Sequence, residues 1–159
     1  MIDTKSHFHQ RDLCRQRDKE FLDLYEPTLQ ALLAQGTPVA QARRAAVDFT
    51  IANGHPHYHV DHERAYRCVC HLLNASQKQG NGARTHRTAT EMGLAKGRLR
   101  RLMWYEITQH VAKLLTHGMS VELALDHVLE HCRASRFFIS PATALTKICP
   151  QARTRFHLY

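Results

Sequence analysis

The sequence predicts an all-α fold of about six helices, arranged as a tandem repeat of one three-helix unit. Three observations carry that prediction. Apolar residues recur at spacings of three and four. Two such stretches superimpose when the chain is slid against itself, and the same turn and cap residues punctuate both.

An offset of 82 positions places Leu22, Tyr25, Leu29, Leu32 and Leu33 on Trp104, Ile107, Val111, Leu114 and Leu115. Each set is one face of an amphipathic helix. Gly36 then falls on Gly118, just past each helix end, where a left-handed backbone is wanted. Pro38 falls on Ser120, and both suit a helix start. The second stripe follows, with Val39, Ala42, Ala46 and Val47 on Val121, Ala124, Val128 and Leu129.

Beyond this point the offset becomes 79, so the first copy carries a connection three residues longer. The extended-looking stretch His57-Tyr58-His59-Val60-Asp61 lies on Arg136-Phe137-Phe138-Ile139-Ser140. Asp61 and Ser140 are good N-caps, and Pro141 suits a first helical position. In the third helix, Ala65, Tyr66, Val69 and Cys70 match Ala144, Leu145, Ile148 and Cys149. Pairing of Tyr58–Val60 with Phe137–Ile139 as a tiny two-stranded bridge between the halves is a further expectation. Tyr58, Val60, Phe137 and Ile139 would then lie in or near a shared core.

The domain organisation expected is a single domain, residues 1–159, made of pseudo-repeats at about 12–74 and 94–149. A basic linker, 75–93, joins them; its Gly, Ser, Asn and Gln content marks a loop. The fourth helix is expected to start between Ala89 and Gly97. No periodic element is legible from Pro150 onward.

A chain of 159 residues with 43% hydrophobic content is sufficient for a real interior. No apolar run approaches the ~20 residues of a membrane span, so no membrane partner is expected. The polar start, MIDTKSHFHQRDL, has no signal-peptide core. Five cysteines, an odd number with no CxxC pair, suit reduced thiols in a cytoplasmic protein.

The charge is less neutral. A net charge of +8 and a pI of about 9.6 favour DNA or another polyanion; the alternative is a protein-interaction module that docks an acidic or helical partner through the same basic face. From His71 to Leu102 seven cations face Glu91 alone, a surplus of six.

The segments HYHVDHERAYRCVCHLL and SRFFISPATALTKIC resemble a pattern found in small uncharacterised bacterial proteins. There an Arg-Phe-Tyr/Phe-Ile/Val-Ser-x-x-x-Ala piece occurs twice around a basic Arg-x-Met helix, matched here by Arg101-Leu102-Met103. The similarity spans roughly Tyr25 to Cys149. It implies shared architecture and a DNA-related role, with no activity to carry over. The first copy departs from the pattern at His57 and His59.

The basic window supplies the leading site. On a helical wheel Leu99, Met103, Ile107, Val111 and Leu114 form one face, with Arg98, Arg101, Tyr105 and Gln109 opposite. Arginine can clamp phosphate oxygens, and Tyr and Gln can donate to a phosphate backbone. Arg84, Arg87 and Lys96 would extend that surface as an arm ordering on the polyanion. Helices two and three of a copy also suggest a helix-turn-helix, although Asn53–Val60 and Arg133–Ile139 exceed the three or four residues usual for its turn. His62, Glu63, Arg64 and Arg67 would be its readers, whereas Pro141, Ala142, Thr143 and Thr146 form a poor reading set.

In an extended strand, His55, His57 and His59 would project together, a set suited to zinc. The repeat argues against it, because His57 and His59 stand where the other copy has Arg136 and Phe138. His59 then reads as a semi-buried packing residue, and no metal or cofactor is expected. No nucleophile–base or paired-carboxylate spacing points to an enzyme. Asp48, Asp61, Glu63, Glu106, Glu122, Asp126 and Glu130 read as caps or helix surface.

Overall fold

A computed structural model of the chain describes residues 4–79 and 97–156, with side chains described for 9–75 and 97–152. The fold is all-α, with no strand among the described residues. Six helices follow in chain order: α1 Thr4–Ala34, α2 Val39–Asn53, α3 His62–Gln79, α4 Arg98–Leu115, α5 Val121–His131, and a composite α6. The last begins as Pro141–Thr143, widens to a π-helical turn over Ala144–Ile148 and continues as α-helix through Cys149–Phe156. None of the described helices is long and apolar enough to cross a membrane.

The chain forms two compact units. One takes α1 and α2, up to Pro56, together with α6 from Ala134 onward; the other is His57–Arg133, holding α3, α4 and α5. Each unit is therefore a helical hairpin completed by a helix from the other half of the sequence. Amphipathic spacing says that a third helix must bury a face, but it does not say against which hairpin.

In the first unit most of the expected stripe residues are buried, but Val39, expected to open the α2 stripe, is 56% exposed because it stands at the first helical position. Leu22, Tyr25 and Leu29 of α1 are buried, and Leu32 packs partly against them. Leu33, at the edge of the stripe, is 39% exposed. Ala42, Ala46 and Val47 of α2 are fully buried, their small side chains allowing close helix approach. Gly36 ends α1 with φ +86, its N–H bonding Leu33 O while Thr37 N–H bonds Leu32 O. Both bonds use carbonyls that the helix end leaves over.

The α4–α5 hairpin repeats this geometry. Gly118 also has φ +86, its N–H bonding Leu115 O, with Met119 N–H reaching Leu114 O. Trp104, Ile107 and Val111 are buried in α4, as are Ala124, Leu125 and Val128 in α5. Ser120 caps α5 through its side chain, accepting from Leu123 N–H at 3.3 Å. Pro38 caps α2 by backbone conformation alone.

The third helices correspond as well. Asp61 accepts from Arg64 N–H at 3.2 Å, and Ser140 from Thr143 N–H at 3.2 Å. Buried positions run Ala65, Cys68, Val69, Leu72 in α3 and Ala144, Ile148, Cys149, Ala152 in α6. A π-helical turn over Ala144–Ile148 lies within the α6 series and keeps its buried face continuous. It also carries α6 past Pro150, where no element was expected; Ala152, only 2% exposed, anchors the extension in the core.

The expected pairing of Tyr58–Val60 with Phe137–Ile139 is not present. Those stretches belong to different units, and their backbones bond elsewhere. Phe137 N–H donates to Ile51 O at 3.1 Å, and Val60 N–H turns back to Tyr58 O. The isolated bridge among the described residues joins His57 and Arg133 in antiparallel sense. Tyr58, Phe137 and Ile139 are nevertheless buried, and Val60 is half-buried.

Candidate nucleic-acid interface

Helix α4 begins at Arg98, with extended Gly97 as its N-cap and no side-chain cap bond. Its first turn holds no acid. Arg98 and Arg100 are exposed, whereas Arg101 and Tyr105 are half-buried. Burial raises the Tyr105 hydroxyl pKa, partly offset by the Arg101 charge. The buried stripe is Trp104, Ile107, Thr108 and Val111, rotated from the wheel centred on Met103. That rotation draws Arg101 and Tyr105 off the fully solvated face and leaves Arg98, Arg100 and Gln109 on it. Buried Thr108 is satisfied by donating to Trp104 O at 2.7 Å.

Arg64 and Arg67 lie on α3, half-buried and exposed respectively. His62 Nε2 meets the Asp126 carboxylate at 2.5 Å. Tyr66, four residues on, has its pKa raised by a hydrogen bond with Cys70 and further by Glu122, in the first turn of α5. Both pairs, Arg64 with Arg67 on α3 and Arg98 with Arg101 on α4, belong to the second unit.

Arg84, Arg87 and Lys96, the expected arm, lie outside the described residues. The helix-turn-helix expectation needs consecutive helices packed on each other. Here α2 and α3 fall in different units, as do α5 and α6, so the long connections serve as crossings between units.

The three histidines of the metal alternative take different roles. His55 belongs to the first unit, where its Nδ1–H donates to Ala134 O at 3.1 Å. His57 and His59 belong to the second, half-buried with ring centroids 6.3 Å apart. Among the described residues no three His, Cys, Asp or Glu side chains group as a metal-holding set. His59 and Phe138 share the same half-buried status.

Sequence reasoning missed the polar contacts that seat α3 on its hairpin. The Tyr58 hydroxyl donates to Glu106 Oε1 at 2.5 Å, and its ring lies 6.4 Å from that of His110, edge to face. Asp126 is exposed, as its helix-surface reading expected, and still meets His62; Glu106, read the same way, is half-buried and accepts the Tyr58 hydroxyl. The available signal was Tyr58, a buriable aromatic with a hydroxyl that needs an acceptor.

No protein-family model matches the chain, and neither a curated protein nor a solved structure matches it.

Proposed function

We propose that this is a small, non-enzymatic cytoplasmic accessory protein that binds DNA through its phosphates. The supporting observation is the start of α4. Three arginines, Arg98, Arg100 and Arg101, crowd the positive end of a helix whose first turn has no acid and whose cap supplies no side-chain acceptor. Cations there oppose the helix dipole, and the first N–H groups of any helix have no partner within it. A phosphate would satisfy both at once. Arg84, Arg87 and Lys96 precede this turn and add charge, while Tyr105, Arg64 and Arg67 would contribute secondary contacts.

The same reading treats the two halves as copies of one ancestral unit. Matching glycine turns, matching i+3 caps and matching buried series support it. The basic segment has no counterpart in the duplication, which marks it as the part acquired for binding.

Mobility shift of short duplex and single-stranded DNA, at two salt concentrations, tests the proposal. A shift at low salt that weakens steeply as salt rises supports it. No shift at low salt with either probe overturns it.

A further inference from the structure

The units are assembled from non-adjacent parts of the chain. The α1–α2 hairpin receives α6, which follows the whole second unit in sequence, and only the connection Arg133–Ala134 carries the chain back to it. The docking is specific. Phe137 lies against Gly54 and meets Phe21 edge-on at 5.2 Å, with Ala144, Ile148, Cys149 and Ala152 completing the core. Between Cys132 and Ser140 the chain is without helix, and Pro141 starts α6 afresh behind its Ser140 cap.

We propose that α6, with the stretch from Ala134 that leads into it, exchanges between two copies of this chain, giving a reciprocal dimer whose units are each built as in the monomer. The contacts that hold α6 are the same whether its own chain or a second chain supplies it. The tether differs: Ala134 N–H, which bonds Pro56 O at 2.7 Å, must take that carbonyl from the second chain, and a short tether holds α6 at an effective concentration in the millimolar range. Micromolar protein therefore closes on itself. Chains refolded together near that concentration close on each other, and the product persists after dilution because release requires the first unit to open.

The test uses two full-length variants. Ala46→Arg breaks the receiving hairpin at a fully buried position and leaves α6 sound; Ile148→Arg breaks α6, also fully buried, and leaves the hairpin sound. Trp104, the single tryptophan, is 3% exposed in the second unit and reports on that unit in each variant. Mixed in urea and diluted, the two variants are expected to form a 1:1 complex of twice the 18.3 kDa chain mass, with helicity above the mean of the separate samples. Wild-type chain refolded at rising concentration, followed by light scattering, serves if either substitution disturbs the Trp104 signal. Its dimer fraction is expected to rise with refolding concentration and to survive a hundredfold dilution for hours. A mixture that remains the sum of its components overturns exchange. So does a wild-type chain that is monomeric at every refolding concentration, or a dimer that dissociates immediately on dilution.

Discussion

The ring of Phe137 occupies the space that a Cβ on Gly54 would need. Its Cε2 and Cδ2 atoms both lie inside normal contact of that position, as does Thr50 O, while Phe137 N–H bonds Ile51 O at 3.1 Å. Gly54 is conformationally ordinary, with φ −77 and ψ 142, so close approach is what requires glycine here. Gly54→Ala is expected to cost about 1–3 kcal/mol through overpacking. Phe137→Ala should cost roughly 3–5 kcal/mol through the cavity it leaves. Gly54→Ala combined with Phe137→Ala should cost less than the two single changes together, because the removed ring frees the space that the added Cβ needs. Urea unfolding followed by circular dichroism measures all three.

Tyr58 gives a pH dependence with a definite sign. Burial, then its bond to Glu106, raises the hydroxyl pKa well above the ordinary value of 10. The folded state therefore keeps a proton that the unfolded chain releases first. This contribution to stability is fully present below about pH 10 and declines as pH rises further. Trp104 fluorescence during urea unfolding should show that decline, and Tyr58→Phe should flatten it.

The caps should separate the units. Asp61→Ala and Ser140→Ala each remove an acceptor for an i+3 N–H, a loss of about 0.5–2 kcal/mol. Asp61 stands in the N-terminal half of the sequence yet begins the helix that packs with α4 and α5. Its loss should lower the Trp104-reported transition, and Ser140→Ala should leave that transition in place while lowering the remaining helical signal. The opposite assignment would contradict the composition of the units.

Gly36 and Gly118 share φ +86 with open space around the missing Cβ. Alanine at either should cost about 1 kcal/mol, and by similar amounts, because the penalty is backbone strain with no steric part. Chemical denaturation of the two single variants checks the equality.

These residues show what the sequence could convey. Local features were legible: glycine turns, caps and buried stripes depend on neighbours three or four residues away. Which hairpin α3 and α6 each join was not, since the two hairpins present similar apolar faces and the choice rests on tertiary detail such as Tyr58 reaching Glu106 and Phe137 reaching Gly54. The rotation of α4 toward Trp104 was obscured by Leu99 and Met103, whose apolar character fits a stripe that burial only partly honours. The π turn in α6 was not legible, because Ala144 and Ile148 stand at the four-residue spacing that an ordinary α-helix also gives.

Binding to phosphate at the start of α4 remains the central functional claim, and the salt dependence of affinity tests it most directly. Fluorescence anisotropy of a labelled duplex should give a linear fall of log K with log salt, at about 0.9 per phosphate neutralised. Arg98→Ala with Arg100→Ala should reduce that slope by roughly one to two and weaken binding at low salt without changing helicity. An unchanged slope and affinity in the double variant would contradict the account.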